Sequence, residues 1–182
     1  MKSYLIKMFI FLLIVVCFSF TLKKEDNNVL IIDDDTKTVV NSEEVEVEPV
    51  VYEDLTLQEL GKKIDNIFNS TLDGYGEIVA SKSLESNVDP VVAASIILVE
   101  TGCKWTCSSL VRNNNNVGGM RGSKGYMTFN TLEDGIQAFI NNLSRNYYEK
   151  GLNTPELMNK KYAENPNWYK DVYYYVDLIK AS

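Results

Sequence analysis

The chain has 182 residues and no histidine, which excludes Ser-His-Asp and Cys-His nucleophiles and every His-ligated metal site. Its formal charge of −7 is lopsided: Glu25 to Asp54 holds 11 acidic residues against Lys37 alone, whereas Leu55 to Ser182 holds 14 acidic against 13 basic. The acidity belongs to one stretch, and the remainder lacks the basic footprint of a nucleic-acid binder.

In chain order, Lys2 and Lys7 flank the start of an apolar run from Met8 to Leu22, relieved only by Ser19 and Thr21. Residues 1–22 have the composition of a secretory leader. Counted from Tyr4, the run nearly reaches the ~20 residues of a bilayer span. A cleaved signal peptide and an uncleaved signal anchor both fit, and both export the rest of the chain. Cys17 follows Val16 where a lipoprotein signal needs a small residue, so lipidation is not expected. Residues 23–54 mix acids with Val, Ile and Asn without a helical period, the composition of a flexible acidic linker. The Val-Glu-Val-Glu alternation around Val45 could pair as an edge strand, but nothing demands it.

Residues 55–182 are expected to form one mostly α domain with at most a small hairpin between Met120 and Phe129. Thr56-Leu57-Gln58-Glu59 is a capping box, and Leu57, Leu60, Ile64, Ile67 and Phe68 follow at helical spacing. A second helix is expected from Gly76 to Ser86. Asp89-Pro90 starts a third, with Asp as N-cap and Pro at the first helical position, and Gly102 stops it. That helix is apolar on every face except Ser95, so burial all round is expected. Cys103 to Asn130 reads as irregular, rich in asparagine and glycine. Thr131 caps a fourth helix whose inward face is Leu132, Ile136, Phe139, Ile140, Leu143 and Tyr147, ending by Gly151. Thr154-Pro155 starts a fifth, and Asn167 starts a last one with Trp168, Val172, Tyr175, Val176 and Ile179 inward.

Glu100 is the first candidate for chemistry. A carboxylate in the last turn of a buried helix meets the negative end of the macrodipole and is desolvated. Both effects raise its pKa, as a general acid near neutral pH requires. The ordinary reading of such a residue is a solvated glutamate or half of an ion pair, here with Lys104 or Arg112. Asn113 to Gly119 comes next, a run of amides and glycines able to meet sugar hydroxyls and N-acetyl groups; a plain Asn-rich turn is the simpler reading. Cys103 and Cys107 are the only cysteines beyond the leader. In an exported protein an even pair favours a disulfide, with two free thiols as the alternative and metal binding unsupported.

Taken together, Val99-Glu100-Thr101-Gly102, Asn115-Asn116-Val117-Gly118-Gly119, Tyr126-Met127-Thr128-Phe129 and Lys161-Tyr162-Ala163-Glu164-Asn165-Pro166-Asn167-Trp168 resemble, in that order, the bacterial N-acetylglucosaminidase domain of the lysozyme-like superfamily. The resemblance covers about Leu55 to Lys180. It implies a lysozyme-like helical fold and an endo-β-N-acetylglucosaminidase acting on peptidoglycan glycan strands, with Glu100 as catalytic acid and Tyr162 opposite it. It also implies sugar contacts from Asn115, Asn116, Gly118, Gly119, Tyr126 and Phe129. No metal or cofactor is expected, and the membrane is a partner only through the N-terminal segment.

One departure from the two-carboxylate glycosidase scheme is visible. No Asp or Glu lies between Thr101 and Leu132, and the usual second carboxylate stands roughly 5–10 Å from the first. Glu133, Asp134 and Glu164 are the remaining candidates, the first two already explained as first-turn helix residues. A single-acid mechanism assisted by the substrate's own acetamido group is therefore expected. Two alternatives stand beside it: a lytic transglycosylase forming 1,6-anhydro ends, and a wall-binding module without turnover.

Overall fold

A computed structural model describes residues 48–182. The leader and most of the expected linker, including the alternation around Val45, lie outside the described residues. Within them the chain is mostly helical: a hairpin of β1 (Val50–Tyr52) and β2 (Leu55–Thr56) is followed by α1 (Leu57–Asp65), α2 (Gly76–Glu85), α3 (Pro90–Thr101) and α4 (Ser109–Asn114). A second hairpin, β3 (Arg121–Gly122) with β4 (Gly125–Tyr126), then precedes α5 (Leu132–Asn146), α6 (Pro155–Tyr162) and α7 (Trp168–Ala181). No helix among the described residues is long and apolar enough to cross a membrane. Strand β1 falls inside the stretch expected to be linker. It is paired antiparallel with β2, and Lys180 holds Glu53 at its turn by an ion pair of 2.8 Å.

Helix α3 is the centre of the domain. Every residue from Pro90 to Leu98 is buried, so no face is left for water and neighbouring helices must cover it all round. Helices α2 and α7 pack directly against it. Each fully buried Ile or Leu here, Ile96, Ile97 and Leu98 among them, contributes roughly 1.5–3 kcal/mol of burial free energy. The two hydroxyls on the helix are satisfied internally: Ser95 Oγ donates to Val91 O at 2.7 Å and Thr101 Oγ1 to Ile97 O at 2.5 Å.

The ends of α3 are fixed as the sequence implies. Asp89 Oδ1 accepts from the backbone N–H groups of Val91 and Val92 at 2.9 and 3.0 Å, and Gly102 takes the left-handed turn at φ 67°. Helices α1 and α2 meet through glycines. A Cβ on Gly76 would lie 2.2 Å from Gly61 O, and its N–H donates to Asp65 Oδ1 at 2.7 Å. Helix α1 stops at Asp65, so Ile67 and Phe68 pack from the turn after it rather than from its stripe. Likewise α5 ends at Asn146, and Gly151 caps the separate 3-10 turn Tyr148–Lys150.

Asp89 also accepts from Tyr52 Oη at 3.1 Å, which joins the first hairpin to the central helix. Replacing Asp89 with Ala is expected to cost about 1–2 kcal/mol in chemical denaturation, and Asp89→Asn less than half of that, because an amide oxygen still caps.

Candidate active site

The C-terminal end of α3 delivers Glu100 to a cleft of about 440 Å³, lined also by Met120, Arg121, Met127, Asn142, Tyr147 and Tyr162. By surface area Glu100 is exposed, because its side chain opens into the cleft. Its carboxylate is nonetheless crowded from the other sides, and that burial raises its pKa above the ordinary glutamate range. The Trp168 indole N–H and the Tyr162 hydroxyl act on the carboxylate in the opposite direction, favouring its charged form. Trp168 Nε1 is buried, so its N–H is shielded from water beside the acid. Neither Lys104 nor Arg112 pairs with Glu100. Lys104 Nζ donates to Tyr174 Oη at 3.2 Å, and the Arg112 guanidinium donates to Cys107 O.

Three aromatic side chains surround the acid. Tyr162 stacks on Trp168 with centroids 4.4 Å apart and planes inclined by 20°, and Tyr147 stands 5.5 Å from Tyr162. Burial, then the nearby Glu100 charge, raises the Tyr162 pKa well above its usual value. The hydroxyl therefore stays protonated and can only donate toward the carboxylate. Asn159, itself buried, fixes the turn that brings Tyr162 and Trp168 together: its Nδ2 donates to Asn165 O at 2.8 Å and its Oδ1 accepts from Tyr169 N at 3.1 Å.

The asparagine run is a brace rather than a row of free amides. Asn116 is 1% exposed. Its Nδ2 donates to Met120 O and Met127 O at 2.9 and 3.0 Å, while its Oδ1 accepts from Met120 N at 2.9 Å. Both ends of the amide are spent on the hairpin base, so Asn116, expected to contact sugar, is placed beneath the hairpin rather than in the cleft lining. Asn115, left-handed at φ 52°, likewise spends its Nδ2 on Phe129 O at 3.0 Å. Its carbonyl sits against Gly135 of α5, where a Cβ would approach it to 1.7 Å. Phe129 lies beside Gly135 and donates its backbone N–H to Asn114 O at 3.0 Å, so it docks the hairpin on α5 and is not part of the cleft lining.

Gly118 does line the cleft, but a Cβ there would strike the Phe139 ring at 2.2 Å; the missing side chain accommodates the core. Gly119, at φ 59°, turns the chain and is absent from the lining. Tyr126 is exposed and stands directly across the hairpin from Arg121, whose guanidinium lies 4.6 Å from the ring centroid. Its reach to the cleft is thus through Arg121. The structure also adds lining residues that the sequence had not marked as site residues, Arg121, Asn142, Tyr147, Met120 and Met127, along with the short helix α4 inside the stretch read as irregular.

Among the described residues Glu100 is the only carboxylate lining the cleft. Glu133 faces Lys82 at 3.7 Å, Asp134 completes the α5 capping box and Glu164 is exposed. Among the described residues no cluster of His, Cys, Asp and Glu could hold a metal ion. Cys103 and Cys107 are bonded to each other and fully buried. The bridge closes the turn after Glu100, and Cys103 O accepts from Asn69 N at 2.8 Å. Compared with models of known protein families and with curated proteins, the chain matches none.

The bridge and the acid each give a measurable outcome. Alkylation under non-reducing conditions should leave Cys103 and Cys107 unmodified, and reducing the bridge should cost about 2 kcal/mol, the loop-closure value for so short a loop. Because the Glu100 pKa is raised on folding, the folded state holds the proton more tightly than the unfolded chain. That contribution is present at low pH and is lost as pH rises through the raised pKa. Glu100→Gln is therefore expected to raise the thermal midpoint at neutral pH, with the gain shrinking as the pH falls through the carboxyl range; differential scanning calorimetry across pH checks it.

Proposed function

We propose that the protein is an exported, lysozyme-like endo-β-N-acetylglucosaminidase that cleaves peptidoglycan glycan strands, held at the membrane or released to the wall through its N-terminal segment. The observation that carries this reading is the Glu100 carboxyl at the end of α3 in an open cleft, with the Tyr162 hydroxyl and the Trp168 indole beside it and burial pushing its pKa up. An acid so placed is poised to donate a proton.

In the proposed step, Glu100 gives its proton to the glycosidic oxygen on the reducing side of N-acetylglucosamine as the C1–O bond breaks. The substrate's 2-acetamido carbonyl oxygen bonds to C1 in place of a protein carboxylate. Water then attacks C1, gives its proton to Glu100 and releases the acetamido oxygen. Across this cycle Glu100 alternates between neutral and charged forms. The Trp168 indole and Tyr162 hydroxyl favour the charged form that results from proton donation, and this differential stabilisation is what speeds the step.

A cleft lining in which Glu100 is the only carboxylate among the described residues equally supports a lytic transglycosylase, in which the 6-hydroxyl of muramic acid attacks in place of water. Mass spectra of digested wall separate the two, since anhydro ends have lost water.

Zymography of the full-length protein on bacterial wall is the direct test. The wild type is expected to clear, Glu100→Gln to lose at least about a hundredfold of activity, and Glu133→Gln and Glu164→Gln to retain it. Equal damage from either of the latter would overturn the single-acid mechanism. Clearing by Glu100→Gln would mean the wrong acid, and wall binding without clearing by any form would leave a binding module.

A further inference from the structure

Arg121 is the only cation among the residues that line the cleft, and it has no ion-pair partner among the described residues, whose ion pairs join Lys82 to Glu85 and Glu133, and Lys180 to Glu53. None of those ion pairs joins it to Glu100. The guanidinium is therefore not spent on balancing the acid. It is also held in place: β3 and β4 set Arg121 directly opposite Tyr126, and the ring lies under the guanidinium at 4.6 Å. Below it, Asn116 fills both strands' base with its own amide. An arginine fixed by stacking loses little further rotamer freedom when it binds, and its planar fork matches a carboxylate.

We propose that Arg121 is an anion-recognising residue of the cleft and that the glycan it receives carries a free carboxylate close to the bond cleaved. The inference rests on the glycan reading above and narrows it. A neutral N-acetylglucosamine polymer offers Arg121 only uncharged hydroxyl, ether and acetamido oxygens. A wall strand offers carboxylates from two sources, the lactyl ether of muramic acid where the stem peptide has been removed, and the acidic residues of the stem where it has not. The first requires that an amide-cleaving reaction act on the strand beforehand.

Binding separates these cases. Full-length Glu100→Gln protein would be titrated with three probes: peptide-free strands bearing the lactyl carboxylate, the same strands converted to the carboxamide, and peptide-bearing strands. The carboxylate form is expected to bind roughly tenfold more tightly than the carboxamide, with the difference shrinking at high salt. Adding Arg121→Gln should bring the ratio to about one, Arg121→Lys should leave it intermediate, and Tyr126→Ala should lower it by freeing the guanidinium. A peptide-bearing strand that binds more tightly than the peptide-free one, with that advantage lost in Arg121→Gln, assigns the carboxylate to the stem. A ratio unchanged by Arg121→Gln overturns the proposal while leaving the glycan reading in place. Failure of all three strands to bind overturns the glycan reading and this inference with it.

Discussion

The all-round burial of α3 is the constraint on which the rest of the domain depends. A helix with no polar face cannot lie on a surface, so its neighbours are obliged to surround it and its polar side chains must bond to its own backbone. Only at its end does the chain meet water again, and the residue placed there is Glu100. The same packing that stabilises the fold therefore fixes an acid at a boundary between apolar core and open cleft. Its direction of approach is set by Gly102, which turns the chain away at once, and by the bridge between Cys103 and Cys107.

The cleft is built from two supports with different characters. One side is aromatic: Tyr147 just past the end of α5, with Tyr162 of α6 and Trp168 of α7 held together by the buried amide of Asn159. The other is a small hairpin with hardly any core of its own. It is kept in shape by Asn116 beneath it and by the close fit of Asn115 against Gly135. Aromatic packing sits beside the acid, while the one charged group on the opposite side, Arg121, is stacked on Tyr126 of the hairpin. The two sides of the cleft thus differ in what holds them: packed rings on one, a short hairpin on the other.

Much of the helical frame was legible because its signals are local. Asp89-Pro90, Thr131 with Asp134, Thr154-Pro155 and Gly102 each end or begin a helix through contacts within a few residues. Glu100 was legible for the same reason, being a charge where helix and burial both oppose it. The roles of Asn115 and Asn116 were not, because an amide looks the same in sequence whether its partner is a sugar or a backbone carbonyl. Arg121, Asn142 and Tyr147 were missed because they converge only after α5 folds back beside the hairpin. Tyr147 lies at the end of the inward stripe of α5 and serves both core and cleft. Helix α4 was hidden by the asparagines that close it.

The two tryptophans of the chain occupy opposite environments: Trp105 is 75% exposed and Trp168 is 5% exposed, against the acid. Their emission is therefore separable by collisional quenchers, which reach the first and not the second. The shielded component comes from the indole next to the Glu100 carboxyl. Without any label, the chain therefore carries one indole that senses bulk solvent and one that senses the surroundings of Glu100.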